Sequence, residues 1–100
     1  MKNKLRAALL ERRVTLGAWV QIGHAASAEV LAGAGFDWVC VDLEHGATDL
    51  ETTTGIFRAL SGYDCVPVAR LPYNDPVWIH RVLDAGACGL IIPMVNDAEQ

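Results

Sequence analysis

An α/β fold built on a buried parallel sheet is what the sequence predicts, and three observations carry that prediction. Four apolar runs, LGAWVQI (16–22), FDWVCVD (36–42), CVPVARL (65–71) and CGLIIPM (88–94), are short and continuous rather than alternating. Strands buried on both faces read this way, and they belong to parallel sheets covered by helices. Helical patterns fill the gaps between the runs. An internal echo completes the case. AGFDWVCVD (34–42) and AGACGLIIP (85–93) each place Ala-Gly between a helical pattern and a buried run, and glycine tolerates the left-handed conformation that ends a helix.

The elements follow in order. Residues 3–13 carry Leu5 and Leu9 one turn apart and predict a helix ahead of the first strand. Residues 27–34 predict the next, with Val30, Leu31 and Ala34 toward the core. Thr48-Asp-Leu-Glu51 matches a capping box, in which the Thr hydroxyl and Glu carboxylate each satisfy a free backbone N–H. Ile56, Phe57 and Leu60 then form that helix's apolar face. Asp75-Pro76 starts another, because proline's missing N–H has no partner at a first helical position anyway. Trp78 with Val82 and Ile79 with Leu83 make its inner stripe. Asp97 reads as the start of a further helix. The order is α, then βα three times, then β. A repeating βα unit builds a (β/α)8 barrel, which takes about 250 residues. With 100 residues, the chain is expected to form a single partial domain over 1–100, the N-terminal half of a TIM barrel.

Bulk properties narrow the function. Of eight Lys and Arg residues, Lys2, Lys4, Arg6, Arg12 and Arg13 crowd the first thirteen positions, and the net charge is -4. The remainder is acidic and offers no basic face for nucleic acid. No apolar run approaches the ~20 residues of a membrane helix, and the N-terminus lacks the pattern of a secretory signal. A cytoplasmic protein with no membrane partner is expected. Cys40, Cys65 and Cys88 are widely spaced without a C-x-x-C pair, which suggests buried reduced thiols rather than zinc or disulfides.

Ligands of parallel α/β folds bind beyond the carboxyl ends of the strands. The polar residues there are Trp19, Gln21 and His24 after the first strand, Asp42, Glu44 and His45 after the second, Arg70 on the third, and Asn96 after the fourth. Strand parity puts Asp42 on one face with Cys40 and Trp38, Arg70 with Val68 and Val66, and Trp19 with Gln21. If those faces point into a barrel, the polar tips converge at one mouth and Val39 and Val41 pack against helices. Each residue also has a plainer explanation. Asp42 suits a turn after a strand, His45 a loop histidine bonded to backbone, Arg70 a partner for a surface carboxylate, Glu44 a solvated loop charge and Trp19 the core. Gly46 suits a tight turn, and His24 and His80 read as structural. Asp42, Glu44 and His45 include the oxygen donors that Mg or Mn prefer. Successive side chains diverge, however, so these three alone do not make a ligand set.

GAWVQIG, AGFDWVCVDLEHG, PVARLPYNDP and LDAGACGLIIPMV resemble the N-terminal half of the metal-dependent class II pyruvate aldolases, the HpcH/HpaI (4-hydroxy-2-oxoheptanedioate aldolase) family. The likeness runs over residues ~5–100, with the D-x-E-H-G and V-A-R blocks in register. It implies a (β/α)8 barrel assembled as a hexamer. The implied reaction is reversible aldol cleavage of a 4-hydroxy-2-oxo acid to pyruvate and an aldehyde, assisted by a divalent metal (Mg, Mn or Co). By the same resemblance His45 matches the catalytic base, Arg70 the group that stabilises the enolate, and Asp84 the carboxylate that raises the basicity of the histidine. Trp19 and Asp42 fall near the aldehyde end of the pocket. The chemistry is coherent: an imidazole suits proton transfer near neutral pH, and a guanidinium is a permanent positive charge. Asp84 precedes the fourth strand, at the end of the βα unit away from the mouth, so it is expected to reach the histidine of a neighbouring subunit. The family's metal ligands, a Glu and an Asp, are expected beyond residue 100, and the isolated chain is expected to turn over little substrate. The alternative is a non-catalytic half-barrel that self-associates or pairs with a complementary half.

Overall fold

A computed structural model describes residues 3–100. Helix α1 (Lys4–Leu10) precedes strand β1 (Gly17–Val20), and α2 (Ala25–Gly33), β2 (Trp38–Asp42), α3 (Leu50–Leu60), β3 (Val66–Arg70), α4 (Pro76–Ala85) and β4 (Gly89–Ile91) follow. The four strands form one parallel sheet in the order β1-β2-β3-β4, as half of a (β/α)8 barrel requires.

The two faces of the sheet divide as strand parity predicts. Val20, Val39, Val41, Ala69 and Leu71 face the helices and pack with Ala28, Ile56, Phe57, Leu60 and Val82. Cys40, Val66 and Val68 face the other way, with Trp38 and Leu5 against them. Helix α1 thus covers the lower part of the inner face. Asn3 Nδ2 donates to the Cys88 carbonyl at 2.8 Å, and Lys4 pairs with Asp64. Ala8 is the buried residue of α1, while Leu9 is exposed.

Several local expectations shift. The capping residue of α3 is Asp49, not Thr48: its carboxylate accepts the Thr52 N–H at 2.8 Å. The helix starts at Leu50, one residue later than the capping-box reading needs, and a carboxylate there also complements the positive end of the helix dipole. The buried Thr48 hydroxyl finds no partner. Helix α2 starts earlier than expected, because His24 Nδ1 accepts the Ala26 N–H and caps it. Its core side is built from Ala28 and Ala32, with Leu31 partly buried, whereas Val30 is 71% exposed. Small residues there let α2 lie close to the sheet. Asp75 and Pro76 open α4 as expected, though Leu83 is exposed while Val82 is buried. Strand β4 stops at Ile91 because Pro93 lacks an N–H and Met94 takes a left-handed φ of 59°. No helix follows Asp97, whose carboxylate accepts the Glu99 and Gln100 N–H groups. Gly35 (φ 97°) and Gly86 (φ 120°) occupy the left-handed positions that the Ala-Gly echo predicts.

Candidate active site

The strand register assembles the mouth. Asp42 pairs directly with Arg70 across β2 and β3, and Trp19 pairs with Cys40 across β1 and β2. Trp19 and Gln21 therefore flank Asp42 from one side and Arg70 from the other.

Asp42 is the hub, with no exposed surface. Its Oδ1 accepts the backbone N–H groups of Glu44 and His45, both at 3.0 Å, and Arg70 Nε–H at 3.1 Å. Its Oδ2 accepts Trp19 Nε1–H and Gln21 Nε2–H, both at 3.1 Å, and Arg70 Nη2–H at 2.6 Å. Burial alone would raise the Asp42 pKa. The Arg70 fork, the His45 N–H, and the Gln21 and Trp19 donors outweigh burial and hold the carboxyl well below the usual carboxylate range. The loop that brings two N–H groups onto Oδ1 depends on Gly46, where a Cβ would stand 2.3 Å from the Asp42 carbonyl oxygen.

Arg70 is held by its bidentate bond to Asp42 and lies with its Cζ 5.0 Å from the Trp19 ring centroid, in cation–π range. The bond to Asp42 raises the Arg70 pKa above its ordinary value, so the guanidinium stays charged. Trp19 is 40% exposed and meets Trp38 edge to face at 6.5 Å. Glu44, mostly buried, turns Oε1 to 3.3 Å from Arg70 Nε and 3.4 Å from His45 Nε2. The His45 side chain is 68% exposed and stands at the rim. Beneath Asp42 on the same face, burial and the Asp42 charge push the Cys40 thiol up to about 12, so it is neutral and no nucleophile.

Trp19, Asp42, His45 and Arg70 are thus brought together, and Asp84 is not. Asp84 is exposed near the end of α4, in a shallow depression with Leu50, Thr54, Arg81 and Ala85. Parity identifies Gln21 as a mouth residue; its role, as a donor to Asp42, needed the register. Glu44 had no assigned role in the sequence; its Oε1 contacts both Arg70 and His45. Among the described residues no group of three or more His, Cys, Asp or Glu side chains is placed to hold a metal ion, and no helix is long and apolar enough to cross a membrane.

The profile of the HpcH/HpaI aldolase/citrate lyase family matches residues 15–100. A 4-hydroxy-2-oxo-heptane-1,7-dioate aldolase of Salmonella dublin is 43% identical over the whole chain, which spans 38% of that relative's length. Among solved structures, an HpcH/HpaI aldolase/citrate lyase family protein of Burkholderia cenocepacia superposes with a TM-score of 0.87 at 35% identity, over 94% of this chain and 38% of the other. The citrate synthase SbnG superposes equally, at 0.87 and 34% identity, over 95% of this chain and 39% of its own.

Proposed function

Because the chain belongs to the HpcH/HpaI aldolase/citrate lyase family, we propose that it supplies the proton-transfer and anion-stabilising half of a pyruvate aldolase site. The reaction is reversible cleavage of a 4-hydroxy-2-oxo acid to pyruvate and an aldehyde. The observation that carries this reading is the placing of an exposed imidazole and a fixed guanidinium on either side of one carboxylate oxygen, 3.4 Å and 3.3 Å from Glu44 Oε1.

His45 takes the proton of the substrate's C4 hydroxyl. The C3–C4 bond breaks, the aldehyde leaves, and the bonding pair passes into the 2-oxo group as an enolate. Arg70 meets the developing negative oxygen with a charge already in place, so no reorganisation is needed as the bond breaks. The imidazolium of His45 returns that proton to C3 of the enolate, which gives pyruvate and restores the neutral base. Trp19, half-exposed beside Arg70, walls the pocket toward the aldehyde.

The divalent metal implied by the family resemblance does not fit the residues present here. Both Asp42 oxygens are committed to six donors, and Glu44 Oε1 faces Arg70 and His45. Asp84 reaches the His45 of a neighbouring subunit in a homo-oligomer, a reading supported by its exposure on the outer helical layer. An assembled structure with no carboxylate from another chain near His45 would end it.

Pyruvate release from a 4-hydroxy-2-oxo acid, followed with Mg or Mn and with a complementary C-terminal barrel half present or absent, tests the reading. Release is expected in the combined sample alone, falling by about 100-fold or more for His45→Ala. Full turnover by the isolated chain, or indifference to His45→Ala, would overturn it.

A further inference from the structure

Helix α2 is capped by a residue outside the set that favours this position. Ser, Thr, Asn and Asp accept a backbone N–H with an oxygen that remains an acceptor near neutral pH. Here the acceptor is an imidazole nitrogen: His24 Nδ1 takes the Ala26 N–H at 3.0 Å, on an extended cap residue. A ring nitrogen accepts only while it carries no proton. The contact therefore holds His24 as the neutral Nε2–H tautomer, on a residue exposed to water.

A proton on Nδ1 reverses the contact. The acceptor becomes a donor aimed at another donor, and a positive charge stands at the positive end of the helix dipole. The first turn of α2 holds no acidic residue to offset it. The other charged groups nearby are Glu29 on α2 itself, Asp42 on β2, and Glu51 and Arg58 on α3, the elements packed against α2. On the loop before α3, whose Thr48 backs Gly23, Glu44 faces His45 and Asp49 caps α3. Among the described residues, none of these groups bonds to the His24 ring. The chain between β1 and α2 shares the consequence. Gln21 at its start donates to Asp42, and Ser27 Oγ ties it to α2 by bonds to the Ile22 and His24 carbonyls at 3.1 and 2.7 Å. Without the Nδ1 contact, Ser27 supplies the remaining side-chain tie between this segment and the helix.

We propose that His24 is a proton-operated cap: the start of α2, and with it the segment that carries Gln21 at the mouth, is fastened while the imidazole is neutral and released when it is protonated. The stability that the cap contributes is present at high pH and lost as pH falls.

Nitrogen NMR of the full chain reads the tautomer, and amide exchange reads the cap. At about pH 8, where imidazoles are neutral, His24 should carry its proton on Nε2 and leave Nδ1 bare. Protection of the Ala26 N–H, taken relative to an unstructured amide at the same pH, should fall about fivefold between about pH 8 and about pH 5, the loss of one helix cap. His24→Asn supplies a cap that does not titrate and leaves His45 and His80 in place. It should keep Ala26 protected at both pH values, whereas His24→Ala should leave it unprotected at both. A proton on Nδ1 at the higher pH overturns the proposal and needs no variant to fold. Equal protection of Ala26 at the two pH values in the unmutated chain overturns it as well. So does an equal fall in His24→Asn, which would trace the pH dependence to the other histidines or to the carboxylates.

Discussion

Val41 and Asp42 are neighbours on β2, and neither has exposed surface. Their burial has opposite causes. Val41 faces the helices, in a core built from Val20, Leu43, Ile56 and Ala69 among others. Dispersion and exclusion of water hold it, and both are non-directional. Asp42 faces the other way into a shell of N–H donors that satisfy every lone pair it has. Its burial is tolerable only because those donors are present and correctly aimed. One face of the sheet is therefore specified by volume, the other by the count and direction of hydrogen bonds.

Substitutions that leave one of these terms intact test the contrast. Asp42→Ala should have the largest effect, about 3 kcal/mol in urea unfolding. That is the lower end for breaking a buried ion pair, since Arg70 keeps some access to water. Acid should act in the same direction. The folded-state pKa of Asp42 is depressed, so its contribution is complete above the unfolded value of ~3.9 and fades as pH falls toward the folded one. A folded protein that loses no stability below about pH 4 more than its Asp42→Asn variant does would contradict this. Val41→Ala should cost less, about 2 kcal/mol, from two lost methyl groups and a partly collapsed cavity, with no acid component. An equal cost for the two alanine variants would erase the distinction between the faces. Thr48→Val should have the smallest effect and the opposite sign. It removes a buried hydroxyl without a partner and should raise stability by about 1 kcal/mol. A loss of that size would mean that the hydroxyl is bonded after all.

The sequence made one face far more legible than the other. Uninterrupted apolar runs and the Ala-Gly echo imply parallel strands between helices, and parity alone assigns Val39 and Val41 to the helices and Cys40 and Asp42 to the inner side. Those inferences need only periods. The identity of α2's buried side was harder to read, because Ala28 and Ala32 are poor hydrophobic markers and Val30, which looks better, points to solvent. The cap of α3 slipped by one residue because Thr48 and Asp49 are both good capping residues and only backbone geometry chooses between them. At the mouth, position at the strand ends picked out Asp42, His45 and Arg70, and the family resemblance implied their roles. That Asp42 spends both oxygens on Arg70, Trp19 and Gln21 depends on the register between three strands separated by tens of residues, which no local pattern encodes.

Helix α1 has a consequence for how the chain reaches this state. Asn3 bonds to the carbonyl of Cys88, 85 positions away, and Leu5 packs on the inner apolar group of Cys40, Val66 and Val68. This helix thus docks on strands synthesised later than itself, closing a loop of 85 positions. Loop closure of this kind costs entropy before any contact repays it. Loop-closure entropy therefore favours docking of α1 after the strands it covers have paired. Until α1 docks, the lower inner side of the sheet stands uncovered. That interval is when two nascent chains are most able to stick to one another.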